Sequence, residues 1–225
     1  MNGVVLAGGA SLRMGMDKAL LPYATGDPRT LAERQVALLR RSGADRVFVS
    51  LRRDGPVPSS ALVPSYRGDA PEVVYDERPG MGPLGGIVAA MTRDPHLHLI
   101  VLAVDMAGVG ADIIGALVAA STAEAGAAPS VSGRLEALCA VYPPHAAATA
   151  ETEIRGPRRS PSALLARLAG EGRVRSVRFP AQETDRFRSW NRPRDLPPEL
   201  LGRIAQRPPE GRNATPGTGS RSSIA

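Results

Sequence analysis

The segment Leu6-Ala7-Gly8-Gly9-Ala10-Ser11-Leu12-Arg13-Met14-Gly15-Met16-Asp17-Lys18 concentrates the chain's most reactive-looking chemistry in one loop. It holds a glycine pair, an arginine and the only lysine; every other basic side chain is arginine. A glycine pair lets backbone N–H groups come close to an anion. The compact ammonium of Lys18 suits a single phosphate oxygen, whereas a guanidinium presents a broad planar fork. Arg13 would add a second positive charge. The loop is not a Walker A motif, because Met16 and Asp17 follow Gly15 where Lys and Ser/Thr are needed. Nor does the spacing of Gly8, Gly9 and Gly15 match a dinucleotide fingerprint. Phosphate binding by another loop type is the chemical reading. A tight turn with two solvated cations, its lysine kept by chance, is the alternative.

Two aspartates extend that reading. Asp105 follows the apolar run His98–Val104 directly, at the carboxyl end of what reads as a central strand, where open α/β sheets bind ligands. Mg²⁺ is commonly held by one or two carboxylates plus phosphates, so a single Asp suffices. A helix cap is the competing role for Asp105. Asp76 precedes the turn Gly80-Met81-Gly82-Pro83-Leu84-Gly85-Gly86. Glycines in the first turns of a helix cost about 1 kcal/mol each relative to Ala, so close approach by another group is expected there. His96, His98, His145 and the lone Cys139 form no nucleophile–base pattern, and Cys139 reads as a core residue.

These side chains need a scaffold, and the hydrophobic pattern supplies one. Gly3–Ala7, Arg46–Leu51, Glu72–Tyr75, His98–Val104 and Ala137–Tyr142 read as strands. Thr30-Leu31-Ala32-Glu33 is a capping box opening a helix that stops at Gly43. Pro83 suits the first position of a second helix, with Leu84, Ile87, Val88 and Met91 at helical spacing. Ala111–Ala120 and Ser162–Leu168 read as helices, Arg173–Phe179 as extended, and Arg194–Ala205 as a closing helix. The alternation predicts a single α/β domain over residues 1–206: a Rossmann-like, open, mostly parallel sheet with helices on both faces. Residues 207–225 are rich in Pro, Gly, Ser, Thr and Arg and predict a disordered tail.

Composition narrows the class. Hydrophobic content of 43% with only 4% aromatics implies a core of Ala, Val, Leu and Ile. One cysteine excludes an intrachain disulfide and a cysteine-based zinc cluster. No apolar run reaches the ~18 residues of a membrane span, and the N-terminus lacks a signal-peptide pattern, so a cytoplasmic protein without membrane contact is expected. A formal net charge of +6 raises nucleic acid as a partner. The arginines are scattered and no aromatic platform accompanies them, so a small polyanion is the better match.

The order of these pieces resembles the molybdenum cofactor guanylyltransferases, a branch of the nucleotidyltransferases with a nucleotide-diphospho-sugar transferase-like fold. The resemblance rests on LAGGASLRMGMDK, on DERPGMGPLGG from Asp76 to Gly86, and on VLAVDM around Asp105. A fourth stretch, Phe187-Arg188-Ser189-Trp190-Asn191-Arg192-Pro193-Arg194-Asp195-Leu196, resembles the family's F-x-N-x-N-T-P-E-D-L segment. The resemblance implies Mg²⁺-dependent transfer of GMP from GTP to the terminal phosphate of molybdopterin, with pyrophosphate leaving. It implies catalytic roles for Arg13, Lys18 and Asp105, with Asp105 as metal ligand. Leu6, Ala7, Gly8, Gly9, Lys18, Arg52, Asp76, Gly82, Pro83, Leu84 and Asp105 would meet the nucleotide, and Asn191 and Arg134 the acceptor. Transient contact with molybdoenzymes or other proteins of cofactor biosynthesis is implied as well. The chain departs from the pattern at Arg52, Ala107, Ala137 and Ser189, mostly on the acceptor side. Transfer to another phosphorylated acceptor, cytidylyl transfer, and a GTP-binding module without turnover are the other readings. Arg155, Arg158 and Arg159 form a basic cluster that would either face the anionic pterin or lie solvated in a loop.

Overall fold

The computed structural model describes residues 1–9, 17–24, 26–53, 70–76, 80–157 and 159–205. Arg13, Arg158 and the expected tail 207–225 lie outside the described residues. Among the described residues, eight strands form one sheet: β1 (Asn2–Leu6), β2 (Val47–Arg52), β3 (Glu72–Asp76), β4 (Leu99–Ala103), β5 (Gly126–Val131), β6 (Arg134–Leu135), β7 (Cys139–Tyr142) and β8 (Val174–Arg178). The order is β3-β2-β1-β4-β7-β5-β6, with β8 also paired to β5. β1, β2, β3 and β4 run parallel. β7 is antiparallel to both β4 and β5, β6 is antiparallel to β5, and β8 is parallel to β5. The sheet is therefore mixed but mostly parallel, as expected.

The central strand β4 is apolar throughout because both its faces are covered. In β4, Ile100 and Leu102 join one core with α1 (Leu31–Arg41) and α3 (Ala111–Ala120). Leu99 and Val101 join the other with α2 (Pro83–Met91), α4 (Ala146–Arg155) and α5 (Pro161–Gly170). Burying these branched chains from two sides stabilises roughly 1.5–3 kcal/mol each. The capping box is formed: Glu33 N donates to Thr30 Oγ1 at 3.2 Å, and Thr30 N donates to Glu33 Oε2 at 2.7 Å. No described helix is long and apolar enough to cross a membrane.

Three differences from expectation have physical causes. The closing helix does not run from Arg194: a 3-10 turn at Pro193–Asp195 ends, and α6 starts at Pro198 (Pro198–Ala205). Consecutive Pro197 and Pro198 push the preceding backbone out of the helical region. β5, β6, α4 and the 3-10 helix Ala181–Phe187 add elements that periodicity did not show. Finally, Gly85 and Gly86 are approached by protein. A Cβ at Gly85 would collide with the Asp76 carboxylate, and one at Gly86 with Ser50 Oγ. These glycines seat α2 against β3 and β2.

Candidate active site

After β1, the chain adds β2 and β3 on one side of β1 and then crosses to place β4 on the other. That reversal opens a crevice at the carboxyl ends of β1 and β4. Leu6 pairs with Ser50 on one side and Ala103 on the other. Ala7 N donates to Ser50 O at 3.0 Å, and Val104 N donates to Leu6 O at 3.1 Å. Leu6 and Ala7 are thus fixed in the sheet with buried side chains, and they aim Gly8 and the exposed Gly9 outward. A Cβ at Gly8 would press on Arg52 N and Cγ, at 3.1 and 3.2 Å, so glycine there admits the end of β2.

Asp17 opens the 3-10 turn Lys18–Leu20 by accepting from Ala19 N at 2.9 Å. Burial raises the Asp17 pKa against the lowering effects of that N–H and of Lys18. The turn directs Lys18 across the crevice. Its Nζ donates to Asp105 Oδ2 at 2.8 Å and to Asn191 Oδ1 at 2.7 Å. Three segments distant in sequence therefore converge on one ammonium.

Several groups hold Asp105 in place. Gln35, fully buried on α1, donates through Nε2 to Met106 O at 3.0 Å and Val104 O at 3.4 Å. Trp190 N donates to Asp105 O at 3.0 Å. The cap of α3 is Gly110, so the helix-cap role for Asp105 is excluded. Glu136, just after β6, lies close enough to Asp105 for the two charges to interact. Glu136 is partly buried, and that burial raises its pKa. The Leu138 N–H and Arg134 lower it, whereas the negative Asp105 raises it further.

The expected residues divide accordingly. Lys18, Asp105 and Asn191 meet directly. Arg52 and Asp76 are register partners at the ends of β2 and β3, on the same edge of the sheet. Gly82, with φ +57°, and exposed Pro83 start α2 beside them, whereas Leu84 is wholly buried and anchors that turn from beneath. Arg134 is exposed, two residues before Glu136. Arg155 and Arg159 flank the α4–α5 turn, and Arg159 Nε donates to Gly156 O at 3.1 Å. His96 and His145 stack edge-on, 5.0 Å between ring centroids, at the opposite end of the sheet. Cys139 is buried, and burial pushes its thiol pKa up, so it is no nucleophile.

Gln35, Glu136 and Asp195 were not singled out from sequence. Gln35 lies among the apolar positions of α1, and a polar residue on that face was its only signal. Glu136 becomes visible only once folding brings it near Asp105. Asp195 follows Asn191 by four residues across a proline, a turn-like spacing that would have pointed to it.

Comparison with known proteins agrees with this fold. The family model described as "MobA-like NTP transferase domain" matches residues 3–177. A probable molybdenum cofactor guanylyltransferase from Opitutus terrae is 38% identical over 198 residues, covering 87% of this chain and 92% of its own. One from Mycobacterium tuberculosis H37Rv is 38% identical over 170 residues, covering 73% and 79%. Among solved structures, a molybdopterin-guanine dinucleotide biosynthesis protein A from Archaeoglobus fulgidus shares the fold, with a TM-score of 0.59 and 24% identity over 90% of this chain and 96% of that one. A nucleotidyl transferase from Methanothermobacter thermautotroptrophicus aligns with a TM-score of 0.66 and 16% identity, over 86% and 93%. The chain belongs to the MobA-like NTP transferase family.

Proposed function

We propose that this chain transfers GMP from GTP to the terminal phosphate of molybdopterin, releasing pyrophosphate. The observation that carries the reading is the convergence of Lys18, Asp105 and Asn191 at the carboxyl ends of β1 and β4. The names of its relatives, molybdenum cofactor guanylyltransferases over most of both chains, supply the substrates.

A phosphate oxygen of molybdopterin attacks the α-phosphorus of GTP in line as the bond to the β-phosphate oxygen breaks. Such a reaction needs positioning and charge neutralisation more than a side-chain nucleophile. Lys18 neutralises charge building on the departing pyrophosphate, and the Gly8-Gly9 backbone N–H groups add to that role. Asp76 and the Gly82-Pro83 turn face the nucleoside. Asn191 lies on the side where the acceptor enters.

The residues present fit a divalent cation. Two oxygens, Asp105 Oδ2 and Asn191 Oδ1, already share one positive charge, that of Lys18, and both are hard donors. Among the described residues no group of three His, Cys, Asp or Glu forms a complete cage, so phosphate oxygens would complete the shell. Asp105 would hold the ion, which for Mg²⁺ would offset charge on the α-phosphate oxygens.

The test is direct. Purified protein is given molybdopterin, Mg²⁺ and either GTP or CTP, with pyrophosphate release and product mass recorded. The guanine dinucleotide with GTP is the expected product. Turnover with CTP alone, or with a sugar phosphate in place of molybdopterin, would reject the assignment.

A further inference from the structure

Among the described residues two side-chain oxygens hold Lys18, and of these only that of Asp105 stands at the end of a sheet strand. Asn191 Oδ1 comes from an exposed stretch outside the regular elements, between the 3-10 turns Ala181–Phe187 and Pro193–Asp195. Side chains on such stretches are easily displaced unless their backbone is tied down. Here the backbone is tied on both sides. Before Asn191, Trp190 N donates to Asp105 O at 3.0 Å. After it, Asp195 Oδ2 accepts from Asn191 N at 2.9 Å and from Arg192 N at 2.7 Å. Bonds to an ionised acceptor are the stronger kind. The two N–H groups also hold the Asp195 carboxyl below its ordinary pKa.

We infer that Asp195 is a positioning residue for Lys18: by clamping the Asn191 backbone it sets the amide oxygen that fixes the ammonium over the crevice. Asp195 itself touches no reacting atom. The inference deepens the guanylyl-transfer reading, since it concerns the residue that acts there on the leaving group.

The chain offers an unusual probe, because Lys18 is its only lysine. Protein labelled with ¹⁵N,¹³C-lysine gives one side-chain ammonium resonance, which reports Lys18 without any turnover. Asn191→Ala is expected to move that resonance. Asp195→Ala should move it the same way, and the double variant should match Asn191→Ala alone, because both changes act through one contact. In the guanylyl assay each single variant should lower kcat by about tenfold, the size of one lost charge-assisted hydrogen bond, with the double no worse and KM for GTP little changed. A wild-type lysine resonance in Asp195→Ala, or losses that multiply in the double variant, would overturn the inference. Should Asp195→Ala not fold, Asp195→Asn keeps an acceptor oxygen and loses the charge; it should give an intermediate shift, and an unmoved resonance there is equally fatal. A wild type silent with GTP would instead sink the guanylyl reading, and the resonance would still judge Asp195.

Discussion

Charged clusters occupy both ends of the sheet, and among the described residues they differ in burial and in the topology around them. At the amino ends of the parallel strands, Arg46 pairs with Glu72 at 2.8 Å and Asp94 at 2.6 Å, and the N-terminal ammonium pairs with Asp45 at 2.7 Å. The Arg46 and Glu72 side chains are 44% and 48% exposed, so water already solvates them. At the carboxyl ends, Lys18 and Asp105 are only 15% and 16% exposed and come from segments 87 residues apart. Glycines and a strand reversal open the backbone around them. The number of charges does not mark the site; their partial burial at the end of the sheet where the topology reverses does.

Substitutions can break or sharpen this contrast. Lys18→Ala is expected to lower kcat by roughly 10²–10³, the loss seen when a group acting on developing charge is removed. Lys18→Arg should also be poor, because a planar fork cannot reproduce the point contact. Arg46→Ala, by contrast, should leave kcat unchanged and lower Tm only slightly. Steady-state rates and melting curves on the three variants decide the matter; equal losses at both ends would erase the distinction.

Two helical glycines give a smaller, opposite-signed pair. Gly85→Ala would force a methyl into the Asp76 carboxylate, and overpacking of this kind destabilises by about 1–3 kcal/mol. Gly115, exposed in α3, has nothing within 4 Å of the added Cβ. Gly115→Ala should therefore stabilise by roughly 0.5–1 kcal/mol through helix propensity. Urea melts of both variants check the signs.

The smallest effect concerns acid. Arg186 grips Asp112 with two bonds of 2.7 Å, fastening the 3-10 turn Ala181–Phe187 to the start of α3. That hydrogen bonding lowers the Asp112 pKa from 3.8 to about 2. A lowered carboxyl pKa gives stability that is present above the unfolded value and lost as pH falls through the folded one. The contribution should vanish between pH 3.8 and about 2, and Asp112→Asn should melt with a shallower acid dependence over that window. Asp27, also lowered to about 2 by Arg29, keeps some acid dependence in the variant.

The same two-ended view explains what could be read from sequence. The parallel half is written in local pattern: unbroken apolar runs for β1 and β4, a capping box for α1, and Pro83 opening α2. The second half depends on pairings between distant segments. β5 reads Gly-Ala-Ala-Pro-Ser-Val, poor in strand-forming side chains, because space there is short. A Cβ at Gly126 would strike Val141 O, and Ala127 and Ala128 are wholly buried. α4 buries only Ala146, Ala150 and Ile154, too little apolar surface to show a stripe. At the site, Lys18 was legible as the only lysine, set in a glycine-rich loop, and Asp105 because a carboxylate directly follows an apolar run. Gln35, Glu136 and Asp195 were not, since each matters only through a contact formed on folding.

The most direct test of the account places the ion and the nucleotide together. Mn²⁺ replaces Mg²⁺, and its electron paramagnetic resonance is followed as GTP is added to wild type and to Asp105→Asn. Wild type is expected to bind Mn²⁺ far more tightly with GTP present and to show phosphorus couplings on the bound ion, both weakened in Asp105→Asn. Equal Mn²⁺ affinity and unchanged couplings in the variant would show that the nucleotide's cation sits elsewhere.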